Sequence, residues 1–161
     1  MRGRRKFCLR FILLATVPAL MMVTESSCRH GAGSAEQLRE EADSFATNYY
    51  NWHFKKALSY CTPESEKWLR FAASNVHKAD VDLLRAKNED AKIELGDISW
   101  QDNDTLATIE IKVSDFLQMD SIGKAAHLIP EARFHLSMVM RNGKWMVKMG
   151  GPLRSEKQSR D

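Results

Sequence analysis

The chain has 161 residues, of which 43% are hydrophobic and 28% are charged. This composition is typical of a globular protein and excludes a disordered chain, a collagen-like repeat and a multi-span membrane protein. Five basic residues lie in the first ten positions, whereas nineteen basic and twenty acidic residues follow from Cys28 onward. A near-neutral domain with interspersed charges lacks the basic surface of a nucleic-acid-binding protein, so nucleic acid is excluded as a partner.

The first 27 residues have the pattern of an export signal. A basic segment precedes an apolar run of 13 residues at positions 11–23. A helix needs roughly 20 apolar residues to span a membrane, so this run predicts a secretory signal peptide instead. Small residues then lead to Cys28, which resembles a bacterial lipoprotein signal in which this cysteine becomes the lipidated first residue of the mature chain. Glu25 stands where such signals usually carry an aliphatic residue, so cleavage nearby with a free Cys28 is the alternative.

The predicted organisation has four parts. They are a lipoprotein signal peptide at residues 1–27, a flexible tether at 28–35, a single domain at 36–150 and a loose C-terminal tail at 151–161. The tether has no acidic residue, which favours an anchor in the bacterial cell envelope that faces the periplasm. Cys8 would leave with the signal and Cys28 would be acylated, so Cys61 has no partner for an internal disulfide. The domain must therefore be held together by its core.

The first half of the domain predicts helices. Apolar residues recur every three or four positions between residues 36 and 60, which predicts one long amphipathic helix with Ser34 as its N-cap. Thr62 and Pro63 suit the cap and the first position of a second helix. A short third helix is predicted over residues 80–87.

The second half predicts antiparallel strands. Apolar residues alternate from Ile93, change parity at a bulge at Gly96, and alternate again over residues 107–113. We expect a long connection over residues 115–130, with a helical turn near residues 123–128.

A hairpin closes the predicted sheet. Asn142 and Gly143 suit a type I′ turn, because both of its central residues need a positive φ angle. A two-residue turn at this point pairs Met140 with Trp145 on an apolar face. Helices followed by antiparallel strands predict an α+β domain.

These elements together resemble the nuclear transport factor 2-like superfamily, a cystatin-like cone in which N-terminal helices pack on a curved antiparallel sheet. The resemblance is carried by the helix at 42–60, the restart at Thr62-Pro63-Glu64, the strand at 104–109 and the hairpin at 142–147. More narrowly, the chain is similar to small Bacteroidetes-type lipoproteins of unassigned function with a lumazine-binding-like domain. Members of the superfamily include isomerases, dehydratases, binding modules and transport adaptors, so the resemblance implies a fold and no single activity.

Enzymes of this superfamily use an Asp, His or Tyr buried in the cone. The candidates in this chain are Tyr49, His53, Tyr60, Asp97 and His135. The hairpin register places His135 on the face away from the cone, and His53 lies at the edge of an apolar helix face, where a histidine is more often a boundary residue. Because the spacing forces no acid–base pair together, we name no catalytic residue. An isomerase- or dehydratase-like reaction that uses Tyr49, His53 or Asp97 is the alternative hypothesis.

The sequence predicts neither a metal nor a cofactor. The five histidines have no His-x-x-x-His spacing on a helix, and no second cysteine in the domain supports a zinc site. Asp102 and Asp104 begin like a calcium loop, but Leu106 occupies the fifth position and no glycine occupies the sixth.

Aromatic residues supply the candidates for a binding site. The ligand-pocket candidates are Tyr49, Trp52, His53, Trp68, Trp100 and Trp145. Such rings line apolar pockets, and the alternative is that they simply fill the core.

Val139 and Met146, on the outer face of the hairpin, are candidates for an interface with a second copy or with an envelope protein. The leading hypothesis is a non-catalytic envelope lipoprotein that binds a small apolar ligand or a protein partner; a third is an accessory domain whose folded surface is its only function.

Overall fold

The computed structural model describes residues 34–101, 104–119 and 125–156. The predicted signal peptide, Cys28 and residues 157–161 of the predicted tail lie outside the described residues. Within the described ranges, no helix combines the length and the apolar character that a membrane span requires.

Helices precede strands along the described part of the chain. The helices are α1 (Ala35–Tyr50), α2 (Phe54–Ala57), α3 (Glu66–Ser74) and α4 (Lys78–Ala86), with short 3₁₀ segments at Leu58–Tyr60 and Pro63–Ser65. The strands are β1 (Lys92–Trp100), β2 (Leu106–Gln118), β3 (His127–Arg141) and β4 (Lys144–Val147). They form one antiparallel sheet in the order β1-β2-β3-β4. The predicted α+β fold, with helices first and strands after, is confirmed.

The first helix is shorter than its apolar pattern predicts. Ser34 caps α1 as expected, because its Oγ accepts a hydrogen bond of 3.1 Å from the backbone N–H of Gln37. The helix then ends at Tyr50 instead of continuing to residue 60, since Trp52 adopts a left-handed conformation with φ of 59°. The Asn51 side chain secures this break by accepting a hydrogen bond of 2.8 Å from the N–H of Ala91. The apolar spacing persists beyond the break because α2 packs against the same core.

The predicted bulge in β1 is confirmed. The pairing of β1 with β2 changes register between Leu95 and Ile98. Gly96 lies at this shift, where an added Cβ would come within 3.1 Å of the Cβ of Glu110. A glycine therefore allows the two strands to approach each other.

The long connection predicted over residues 115–130 is wrong. Strand β2 continues to Gln118 and β3 begins at His127, so residues 127 and 128 are strand and not a helical turn. Residues 120–124 lie outside the described part of the chain. Ser114 pairs with Glu131 and Phe116 pairs with Ile129, which leaves Asp115, at φ of 56°, opposite Pro130. A proline has no N–H to donate to the neighbouring strand. The irregular pairing at Asp115 and Pro130 interrupts the alternation of apolar residues from which a strand would have been predicted.

The closing hairpin has the predicted register, with Met140 paired to Trp145 and Met138 to Val147. Trp145 is completely buried beneath α1. The side-chain amide of Gln37 reaches the carbonyl of Gly143 at 3.4 Å, so the start of α1 lies against the hairpin turn.

Helix α4 is attached to the sheet through Asp80, whose side chain is completely buried. One carboxylate oxygen accepts a hydrogen bond of 2.7 Å from the N–H of Ala126, just before β3. The other accepts a bond of 2.9 Å from the N–H of His77, at the start of α4. Asp80 therefore joins a helix N-terminus to the start of a strand.

The C-terminal segment packs onto the domain. Leu153 contacts the core, and Ser155 is 8% exposed. The prediction of a loose tail from residue 151 is therefore wrong for residues 151–156.

Candidate ligand cavity

A cavity of about 290 Å³ opens near the C-terminal end of α1. Residues from α1, α3, β2, β3 and the C-terminal segment contribute to its wall. The lining residues are Tyr49, Tyr50, Trp52, Phe71, Ala72, Asn75, Phe116, Leu117, Gln118, Met119, Phe134, Pro152, Leu153 and Arg154. Six of these fourteen side chains are aromatic, which is the mostly apolar lining expected of a small-molecule site.

A cluster of three buried rings forms one wall. The ring of Tyr50 lies 5.2 Å from that of Phe116 and 5.0 Å from that of Phe134, and these two phenylalanines are 5.7 Å apart. Edge-to-face and tilted contacts at these distances are favourable. The wall is therefore pre-formed by packing between α1 and the two central strands.

Trp52 owes its place in the cavity to the end of α1. Its backbone N–H donates to the carbonyl of Tyr49 at 3.1 Å, and the next N–H, of His53, donates to Asn48 at 2.8 Å. These bonds hold the left-handed bend, a conformation that is costly for a bulky residue and that persists only where the surroundings impose it. The bend directs the chain away from α1 and leaves the indole at the cavity wall.

Tyr49 links the cavity to the C-terminal segment. The backbone N–H of Leu153 faces its phenol oxygen. Burial raises the pKa of Tyr49 to about 12, although this N–H acts in the opposite direction. The phenol therefore stays protonated, and its oxygen is directed toward the segment 152–154, which forms part of the cavity wall.

Tyr50 presents a different hydroxyl. The residue is 4% exposed, and its Oη has no hydrogen-bond partner among the described residues. A buried polar group left unpaired costs about 1–3 kcal/mol. Burial raises the pKa of Tyr50 well above its ordinary value, so the hydroxyl remains a donor near neutral pH.

The mouth of the cavity is marked by its exposed lining residues. Phe71 is 40% exposed, and Arg154 is exposed as well. Arg154 is the one charged side chain among the described residues that line the cavity, and no carboxylate lines it.

The structure brings two of the six predicted pocket residues to this cavity, Tyr49 and Trp52. His53 is exposed and lies outside it. Trp145 is completely buried in the core, Trp100 packs on it with ring centres 5.7 Å apart, and Trp68 is half-buried against the core. Among the phenylalanines of the cavity, Phe116 was missed because it falls in the segment interpreted as a connection.

The remaining acid–base candidates lie apart from one another. Asp97 is exposed at the bulge, and Tyr60 lies under the Lys144 ammonium, 5.3 Å from the ring centre. His135 is exposed on the outer sheet face, as the register predicts, with its Nδ1 3.6 Å from a carboxylate oxygen of Glu156.

A second cavity of about 600 Å³ is more open and lies between α4 and the start of β3. Leu83 and Leu128 are its exposed apolar residues, and Lys87, Glu89 and Asp115 bring both signs of charge. The mixed charges and the open shape make it a weaker candidate for a small apolar ligand.

Across the described residues, no group of three or more His, Cys, Asp or Glu side chains is placed to hold a metal ion. Cys61 is buried with a free thiol, and burial raises its pKa.

The predicted interface residues are neighbours on the outer sheet face. Val139 pairs with Met146, and both are half-buried. Ion pairs occupy the adjoining part of this face, where Arg133 lies 3.2 Å from Glu110. An interface through Val139 and Met146 stays a prediction.

No protein-family model and no curated protein matches the chain. Among solved structures, the chain is similar to an NTF-2 like protein of unknown function from Shewanella oneidensis MR-1. The two share 9% sequence identity, and the alignment, with a TM-score of 0.47, covers 70% of this chain and 92% of the other.

Proposed function

We propose that the protein is a membrane-anchored envelope lipoprotein whose domain binds a small, largely apolar ligand without catalysing a reaction. The observation that carries this proposal is the aromatic cavity at the end of α1, in which the buried hydroxyl of Tyr50 has no hydrogen-bond partner among the described residues. The cavity, at about 290 Å³, is roughly twice the ~150 Å³ that admits a benzene molecule in an engineered cavity. A ligand of one or two rings fits this space.

The chemistry of the wall favours binding over catalysis. Among the described residues, the titratable side chains that line the cavity are Tyr49, Tyr50 and Arg154. Both tyrosines are held protonated by burial, so neither is suited to exchange a proton near neutral pH. His53 and Asp97, the other residues of the enzyme hypothesis, lie outside the cavity.

The position of the cavity also suits a protein anchored through Cys28. Helix α1 begins seven residues after Cys28, and its 16 residues span about 24 Å. Tyr49 and Tyr50 lie at the far end of this helix. We therefore expect the cavity to open away from the anchored end, toward the aqueous envelope.

Filling the cavity tests the binding proposal. Ala72 lines the cavity and is 8% exposed, whereas the next residue, Ala73, is exposed and does not line it. We expect calorimetric titration with 2-naphthalenemethanol, a neutral two-ring probe, to detect binding to the wild type and to Ala73→Phe. Ala72→Phe places a ring in the cavity and should abolish binding while the thermal unfolding transition remains cooperative. Equal binding by the two variants, or no binding by the wild type, would contradict the proposal.

The anchor needs a separate test. We expect the full chain to fractionate with membranes and to carry acyl chains on Cys28, and Cys28→Ser to release the domain into the soluble envelope fraction. An unmodified N-terminus in the exported wild type would contradict lipidation and would leave the cavity proposal standing.

A further inference from the structure

We infer that the natural ligand is an aromatic carboxylate, with its ring among the cavity side chains and its carboxylate at the guanidinium of Arg154. This inference rests on the proposed function and specifies the class of ligand.

The charge around the cavity is one-sided. Arg154 is the single charged residue in the described lining, which contains no aspartate or glutamate. The polar groups that accompany it are the side-chain amides of Asn75 and Gln118. Within the described lining, an anionic group at the mouth would therefore meet a cation without a competing carboxylate.

Arg154 differs from other arginines of the domain in its surroundings. Arg70, Arg133 and Arg141 each lie within 3.2 Å of a glutamate oxygen. No carboxylate of the described residues forms an ion pair with Arg154. Its guanidinium offers a planar set of donors that matches the two oxygens of a carboxylate, which a neutral hydroxyl cannot engage in the same way.

The backbone around Arg154 is held in place. The side chain of the preceding residue, Leu153, packs against the core, and its backbone N–H faces the phenol oxygen of Tyr49. The guanidinium of Arg154 therefore extends from a backbone segment that is held by packing at the mouth of the cavity. A ligand that extends from the aromatic wall to this point also has the Tyr50 hydroxyl within the same cavity as a second donor.

The test compares two probes that differ in charge. Full-chain protein is titrated calorimetrically with 2-naphthoate and with its neutral analogue 2-naphthalenemethanol, in low and in high salt. We expect the wild type to bind 2-naphthoate roughly two- to fivefold more tightly, a modest factor because Arg154 is exposed to solvent. Added salt should weaken this preference, since an exposed ion pair is screened.

Two variants that each remove one positive charge separate a local from a general effect. Arg154→Gln should abolish the preference for 2-naphthoate over the neutral probe. Lys148 is exposed and does not line the cavity, so Lys148→Gln should keep the preference. Arg154→Lys, which retains the charge and loses the planar fork, should keep part of it.

The outcomes distinguish the two proposals. Equal binding of both probes by the wild type, or a preference that survives Arg154→Gln, would overturn the carboxylate inference and leave the apolar binding function in place. Binding of neither probe would overturn both.

Discussion

The backbone N–H of Leu153 faces the phenol oxygen of Tyr49, so the last described segment lies against the end of the first helix. The cavity depends on this contact, because Pro152, Leu153 and Arg154 form part of its wall. Chain segments from both ends of the domain must therefore be in place before the cavity exists.

Replacing each of the two neighbouring tyrosines by phenylalanine should affect the free energy of unfolding differently. Tyr49→Phe removes the acceptor of the Leu153 N–H and should lower the free energy of unfolding by about 0.5–1.5 kcal/mol. Tyr50→Phe removes a hydroxyl that has no partner among the described residues, so it should leave the stability of the ligand-free protein unchanged or raise it by about 1 kcal/mol. Equilibrium unfolding in urea measures both changes.

Hydrogen exchange tests the same prediction at a single backbone amide. The amide of Leu153 should lose protection in Tyr49→Phe and keep it in Tyr50→Phe. Tyr60 is half-buried and does not line the cavity, so Tyr60→Phe is the control. Equal destabilisation by Tyr49→Phe and Tyr50→Phe would contradict the different roles assigned to the two hydroxyls.

Trp145 supports the sheet from inside the core. Because its side chain is completely buried, Trp145→Ala should destabilise the domain by about 3–5 kcal/mol. Trp100 lies beside it and is 42% exposed, so Trp100→Ala should lower the free energy of unfolding by clearly less. Thermal or urea unfolding measures the two losses, and a loss below about 1 kcal/mol for Trp145→Ala would place this residue outside the core.

Asp80 should make stability depend on pH. Its pKa is lowered in the folded protein, chiefly by the hydrogen bonds from the N–H groups of Ala126 and His77. In the unfolded chain an aspartate has a pKa of about 3.9. The stabilisation is therefore fully present above that value and is lost as the pH falls through the lower, folded pKa.

Asp80→Asn should reduce the dependence of stability on pH, because an asparagine does not titrate. It should also lower the stability, because the side chain can accept a hydrogen bond from one of the two N–H groups but must turn its NH₂ toward the other. Glu64 and Glu89 also have lowered pKa values, so the quantity to compare is the difference between variant and wild type at pH 7 and near pH 3. We expect this difference to be large at pH 7 and to shrink at low pH. Asp82→Asn, an exposed change on the same helix, is the control; an equal pH profile for Asp80→Asn and wild type would contradict the prediction.

A homodimer through Val139 and Met146 is testable in solution. If the outer sheet face pairs, light scattering should give twice the chain mass, and Met146→Glu should return the monomer because it places a charge in the contact. A monomeric wild type at high concentration would contradict this prediction.

The fold was largely predictable because its signals are local. Ser34 is a capping residue before an apolar stripe, Gly96 stands where the parity of β1 changes, and Asn142-Gly143 requires a two-residue turn. The errors arose where a tertiary contact overrides the local pattern. Helix α1 ends at Tyr50 because the backbone bends at Trp52, where the sequence has neither a glycine nor a proline. The irregularity at Asp115, opposite Pro130, hides the strand pattern in the same way.

The cavity could be predicted only in part. Tyr49 and Trp52 were identified as aromatic residues near one helix, but Phe71, Phe116 and Phe134 join them through contacts between distant segments. Arg154 lies in a segment whose charged composition suggests a loose tail, and only the packing of Leu153 against the core brings it to the cavity. That the Tyr50 hydroxyl has no hydrogen-bond partner in the described part of the chain likewise becomes clear only when its neighbours are known.

The most direct test of the central claim is the mass of the full chain, exported by its native host, extracted in mild detergent and measured first under native and then under denaturing conditions. Covalent acyl chains on Cys28 persist through denaturation, whereas a molecule held in the cavity does not. We predict a mass excess that disappears on denaturation and that is absent from Ala72→Phe. An identical mass under both conditions would contradict a bound ligand and indicate that the cavity is empty in the exported protein.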